Sequence, residues 1–153
     1  MTPHDLATTF YDAFSRCDGD TMASLYAPTA TFEDPAFGQL TGVEAGAMWR
    51  MLTGQAKDLK VTYTILSSDD ETVRVNWIAT YTFSQTGRKV VNDIQATIRC
   101  LDGQIVDHRD VFDFHTWSRQ ALGTPGLLLG WTGFLKNKVR TQARKGLDRF
   151  MKG

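Results

Sequence analysis

Apolar residues recur along this chain at two different periods, and the change of period divides it. Up to about residue 54 they return every three or four positions, the spacing of a helix face; from Lys60 to Phe114 they alternate, as strands require. The first helix opens with Thr2 as N-cap, Pro3 at the first helical position and Asp5 three beyond the cap. Leu6, Phe10, Ala13 and Phe14 form its buried stripe, with Tyr11 on the flank, and Cys17-Asp18-Gly19 breaks it. A short second helix is predicted from Asp20, with Met22, Leu25 and Tyr26 inward, stopped by Pro28. Ala30–Asp34 reads as a short strand with Phe32 and Asp34 on one side, and Pro35 ends its pairing. A third helix is capped by Thr41 and Glu44 and runs through Met48, Met51 and Leu52 to Gly54.

Three strands follow. Lys60–Ser67 alternates and Ser68-Asp69-Asp70 turns. Thr72–Ser84 places Val73, Val75, Trp77, Ala79, Tyr81 and Phe83 on one face. After the Gln85-Thr86-Gly87 turn, Lys89–Leu101 sets Asn92, Ile94, Ala96 and Ile98 against Asp93, Gln95, Thr97 and Arg99. Helices followed by an antiparallel meander with one apolar face predict an α+β layout.

The stretch Gly103–Trp117 closes this meander, and its alternation is unusual. Val106, His108, Asp110, Phe112 and Phe114 share one face; Ile105, Asp107, Arg109, Val111, Asp113 and His115 share the other. A histidine and a carboxylate therefore line up with phenylalanines on the apolar side. Unpaired ionisable groups are costly to bury, so this placement points to structural pairing or to chemistry. Beyond Trp117, Ser118–Leu122 is a short helical piece and Gly123-Thr-Pro-Gly126 a break. Leu128, Trp131, Leu135, Val139, Ala143, Leu147 and Phe150 then mark an amphipathic helix with a basic opposite face.

Charge refines the picture at the tail. The 153 residues balance 17 Lys/Arg against 17 Asp/Glu. Residues 117–153, however, carry eight Lys/Arg against Asp148 alone, a local +7 that the rest of the chain offsets. A solvated helix face and contact with anionic lipid both fit that excess. The tail lacks the interleaved aromatics expected for nucleic acid, so none is expected as a partner. Cys17 and Cys100 form no CxxC, and residues 1–5 carry no basic or apolar leader pattern; a reduced, cytoplasmic setting is expected. No Gly-rich phosphate loop, Gly-x-Ser-x-Gly or third metal ligand near His108 and Asp110 is present, so neither metal nor organic cofactor is expected.

The element order resembles the nuclear transport factor 2-like superfamily, in particular its SnoaL-like branch with ketosteroid isomerase and limonene epoxide hydrolase. Tyr11-Asp-Ala-Phe through Ala30-Thr-Phe-Glu-Asp-Pro35 is similar to ketosteroid isomerase, where tyrosine at the Tyr11 position and the aspartate of Glu-Asp-Pro are functional. Gly103-Gln-Ile-Val-Asp-His-Arg-Asp-Val-Phe-Asp-Phe is similar to the closing strand of limonene epoxide hydrolase, where the aspartate matching Asp110 is catalytic. The resemblance implies a cone-shaped α+β barrel and a homodimer. It is incomplete in both directions. The neutral acid of the isomerase oxyanion hole falls near Ile94 or Ala96, and the arginine and second aspartate of the hydrolase fall on Trp77 and Ala79.

Each candidate has two readings. Asp34 against apolar walls would have a raised pKa and could act as a general base, or it could simply accept backbone N–H groups around Pro35 and Gly38. His108 and Asp110, two apart on one strand with Cβ atoms ~7 Å apart, could form a catalytic pair or only satisfy each other, with Tyr11 as a further donor. The expectation is a single apolar pocket lined by Tyr11, Phe32, Asp34, Trp77, Asn92, Ile94, His108, Asp110 and Phe112. In it, cofactor-free acid–base chemistry of isomerase, cyclase or hydrolase type would act on a small, largely apolar molecule. The rival is a binding module of the same fold without turnover. Residues 1–117 are expected as the cone, and 118–153 as a helical extension packed on that domain or on a dimer mate, with membrane docking as its other use. The mixed charges of the outer sheet face suit a two-fold contact.

Overall fold

A computed structural model describes residues 1–153. α1 (Pro3–Ser15) begins at the Thr2 capping box, and α2 (Gly19–Ser24) is capped by Asp18, whose carboxylate accepts from Thr21 N–H. Next come β1 (Tyr26–Asp34), β2 (Gly38–Thr41) and α3 (Gly42–Gln55), the last opened by the Thr41–Glu44 capping box. The meander is β3 (Lys60–Ser68), β4 (Thr72–Phe83), β5 (Arg88–Leu101) and β6 (Gln104–Val111). Helices α4 (Phe114–Leu122), α5 (Thr124–Leu129) and α6 (Gly133–Lys152) complete the chain.

The strands form one six-stranded sheet in the order β2-β1-β6-β5-β4-β3. Only β1 and β6 run parallel, so the end of the chain's strand region lies beside its beginning. The inner face packs on α1 and α3: Leu6, Phe10, Phe14, Met48 and Trp49 meet Val73, Val75, Trp77, Ile94 and Ile98 in the main core. This is the α+β layout expected from the alternating strands, with the curved cone that the resemblance implies. A second cluster joins Val90, Phe114, Trp117, Ala121 and Leu135, while Leu147 of α6 is buried in the main core.

Several sequence expectations change in detail. β1 starts at Tyr26 rather than Ala30, so Tyr26 is a strand residue and α2 stops at Ser24. Its burial pattern does not alternate cleanly, and its register with β6 shifts between Tyr26 and Thr31. The β2 strand was not predicted. β6 ends at Val111, because the Asp113 carboxylate accepts from the N–H groups of His115 and Thr116 and starts α4 there. Phe114, His115 and Trp117 are thus helical, extending the short piece predicted at Ser118–Leu122. A register shift between Arg99 and Cys100 pairs Cys100 with Ile105, which is fully buried rather than on the outer face. Gly123-Thr-Pro-Gly126, read as a break, includes the start of α5. Leu128, Trp131 and Phe150 are exposed, so they leave the buried stripe of the tail that Leu135, Val139 and Leu147 maintain.

Candidate functional site

Strand pairing assembles the site. Phe32 of β1 and Ile98 of β5 flank His108 of β6 as direct neighbours, and Ala96 stands beside Asp110. Trp77 stands opposite Ile94 on β4, two residues from Val75, the partner of Ala96, and its indole reaches across to Asp110. Trp77 Nε1 donates to Asp110 Oδ1 at 3.3 Å, and His108 Nε2 lies 3.0 Å from the same oxygen. On the other side of the ring, His108 Nδ1 lies 2.7 Å from the Tyr26 hydroxyl, which also accepts from Trp49 Nε1 at 2.8 Å. His108 is fully buried and Asp110 is 4% exposed.

These partners suit one arrangement of protons. With the Trp49 N–H donated to its oxygen, the Tyr26 O–H is free to donate to His108 Nδ1, and the Nε2–H then serves the Asp110 carboxylate. A neutral imidazole satisfies every member of the relay, and neither ring nitrogen is left for a substrate. Oδ1 of Asp110 holds both bonds, leaving Oδ2 outside this network. Aromatic rings close round the imidazole: Phe32, Phe10 and Trp49 have centroids 5.1, 5.6 and 6.2 Å from it. Of the residues expected as pocket wall, Tyr11, Phe32, Trp77 and Ile94 are packed into this inner core.

Tyr11 differs from the rest. It is fully buried, yet its hydroxyl has no hydrogen-bond partner. Burial first, and then the Asp110 charge, hold its pKa well above the usual phenol value, so it stays protonated. An unpaired buried donor costs about 1–3 kcal/mol, which marks a place where an acceptor would be favourable.

Asp34 ends β1 and is half-buried. Its Oδ1 accepts from Ala36 N–H at 2.9 Å and from Phe37 N–H, so the backbone role considered from sequence is real. Those bonds do not keep it acidic. Burial is the largest influence, the Asp110 charge adds to it, and together they push the carboxyl up to about 7. Tyr81 is close enough for the Asp34 charge to contribute to its own raised pKa, after burial; Trp117 Nε1 donates to its hydroxyl at 2.9 Å. Phe112 is half-buried and touches both core clusters, and Asn92 is buried on the inner face of β5. The site thus has two tiers: a closed relay at His108–Asp110 and a partly open rim at Asp34, Tyr81 and Phe112. Beside the rim, an open cavity of about 430 Å³ is lined by Phe37, Arg140, Thr141, Arg144 and Lys145.

Tyr26, Trp49 and Tyr81 are the members that sequence reasoning did not single out. Tyr26 sits four residues after Met22 and so matched the helical spacing; Trp49 lies in a helix buried on nearly every side. Tyr81 shares the alternation of ordinary inner-face packing residues on β4.

Residues 7–108 match the family model of the SnoaL-like domain. Among curated proteins the sequence has no match. Among solved structures, a protein of ketosteroid isomerase-like fold from Catenulispora acidiphila, determined with trimethylamine, is 19% identical, with a TM-score of 0.69 over 86% of this chain and 99% of that one. The proposed polyketide cyclase IdmH from Streptomyces antibioticus is 24% identical, with a TM-score of 0.65 over 81% of this chain and all of that one. A proposed isomerase from Bacillus subtilis is 21% identical, with a TM-score of 0.64 over 79% and 92% of the two chains. At these identities the likeness is one of fold.

Proposed function

Because this chain belongs to the SnoaL-like domain family, we propose that it performs cofactor-independent acid–base chemistry, of isomerase, cyclase or hydrolase type, on a small, largely apolar molecule. Asp34 is the group that takes up and returns the proton. One observation carries this reading: a carboxyl at the rim of an aromatic-walled site with its pKa raised to about 7. A base whose pKa lies near the working pH combines a useful ionised fraction with a useful proton affinity.

The remaining roles follow from what each group has free. The Tyr11 O–H has no protein acceptor and would donate to a substrate oxygen that gains charge as Asp34 removes the proton. His108 and Asp110 are positioning residues: with both ring nitrogens engaged, the relay anchors Trp77 and Trp49, and the Asp110 charge helps to hold Asp34 protonated. Phe112 and Tyr81 provide the apolar wall at the rim. The description of IdmH as a cyclase and of the Bacillus protein as an isomerase agrees with this class of reaction. A binding module without turnover is the second reading, supported by the two backbone bonds that give Asp34 a structural role.

The test is deuterium exchange from solvent into the carbon next to the carbonyl of a panel of cyclic ketones. The proposal expects exchange that rises with pH through a midpoint near 7 and disappears in Asp34→Asn. Ketone binding without exchange, or exchange unaltered by the substitution, would favour the module.

A further inference from the structure

We propose that the α5 tip and the outer face of α6 form a docking surface for membranes containing anionic lipid. The eight residues Leu127–Phe134 expose five large apolar side chains: all three leucines of α5, Trp131 at 76% and Phe134 at 74%. Packing explains why they point outward. α5 is seated on α4 through glycine: a Cβ at Gly126 would lie 1.9 Å from Ser118 O, and one at Gly130 2.1 Å from Ser118 Oγ. The helix therefore touches the domain along a narrow glycine edge and turns its leucines away from it.

The last three carbonyls of α5 already have partners. The last carbonyls of a helix lack intrahelical partners, yet here each is covered. Leu127 O lies 3.1 Å from His115 Nε2, Leu128 O accepts from Trp131 Nε1 at 3.1 Å, and Leu129 O accepts from both Thr132 N and Thr132 Oγ1. Apolar surroundings penalise unpaired peptide groups heavily, so pairing the three leucine carbonyls lowers the polar cost of bringing α5 into the headgroup boundary.

Charge selects the occupant. On α6, Phe134, Lys138, Lys145, Arg149 and Lys152 are spaced by four, seven, four and three, which places them on one exposed face. At 1.5 Å per residue that row follows a helix of about 30 Å. The opposite face is occupied, because Leu135, Val139 and Leu147 pack on the domain. Asp148, the one acid of the tail, pairs with Arg144 at 3.2 Å. An apolar wedge continuous with a cationic row suits insertion beneath anionic headgroups. A second copy meeting this surface face to face would bring two cationic rows together.

Vesicle co-sedimentation with Trp131 fluorescence tests the idea. Trp49, Trp77 and Trp117 are buried, so a blue shift on binding reports Trp131. Wild-type chain should pellet with phosphatidylcholine vesicles containing about 30% phosphatidylglycerol, at least about tenfold more tightly than with phosphatidylcholine alone, and release as salt rises. The Trp131→Ser/Phe134→Ser variant should lose binding while its circular dichroism is unchanged. Replacing Lys138, Lys145, Arg149 and Lys152 by Gln should abolish the preference for anionic vesicles. Failure to pellet with anionic vesicles, binding unaffected by the tip variant, or a wild-type dimer that the tip variant dissolves would overturn the proposal.

Discussion

The Tyr26 hydroxyl sits 2.7 Å from His108 Nδ1, joining residues 82 positions apart through the one parallel strand pair of the sheet. This contact connects Trp49 to Asp110 through two side chains and three hydrogen bonds. Tyr26→Phe removes the hydroxyl at its centre and leaves the Trp49 N–H and a ring nitrogen unpaired in the core. The expected loss is about 1–3 kcal/mol of stability, read by chemical denaturation. The intact relay also requires the proton on Nε2, which ¹⁵N NMR of His108 would report directly; a proton on Nδ1 would mean that the relay runs in the other sense.

Tyr11→Phe should behave in the opposite way. Its hydroxyl is buried without a partner, so removing it should leave the melting temperature unchanged or raise it. If the phenol donates to a substrate oxygen, turnover should fall on the order of 100-fold. A variant that melts well below the wild type would show that the hydroxyl has a structural partner.

Asp34→Asn should separate stability from activity. Folded Asp34 holds its proton up to about 7, against an ordinary value of 3.8. Between those values the native state binds more protons than the unfolded chain, so this group lowers stability as pH rises through the window. Asparagine can still accept from Ala36 and Phe37 but never ionises. The variant should therefore be more stable than wild type at pH 8, on the order of 1–3 kcal/mol after allowing for half-burial, with the gain shrinking as pH approaches about 4. Equal melting at both pH values would contradict this.

The outer sheet face is proposed to form a homodimer. Asp107 pairs with Arg109 at 3.3 Å and Asn76 donates to Asp93, while Arg74 and Arg99 lie on the same face. Light scattering at micromolar concentration in low salt should give twice the monomer mass, and Arg99→Glu should shift it toward monomer; a monomeric wild type would rule the contact out.

The sheet was legible from sequence because β4 alternates from Val73 to Ala79 and β5 from Val90 to Cys100, and the fold follows from their shared apolar face. His108 and Asp110 stood out for the same reason: their polarity breaks an otherwise apolar wall. The partners did not. Tyr26 lies in a strand without clean alternation, beside Pro28, and helical spacing from Met22 competed with its true geometry. Trp49 belongs to a helix whose buried positions include Ala45, Gly46, Ala47, Met48 and Met51, so no stripe identifies which side chain faces the sheet. An indole N–H aimed at a buried oxygen leaves no trace in periodicity. Nor does a helix seated on glycines, which is why α5 was read as a break.

The proposed acid–base chemistry turns on the proton affinity of Asp34. Selective ¹³C labelling of aspartate, with Asp34→Asn used to assign its resonance, allows the carboxyl to be titrated by NMR in the folded chain. The midpoint predicted is near 7, set by burial and by the neighbouring Asp110. A midpoint near the ordinary value of 3.8 would leave Asp34 as a turn-forming carboxylate, and the acid–base reading would lose its base.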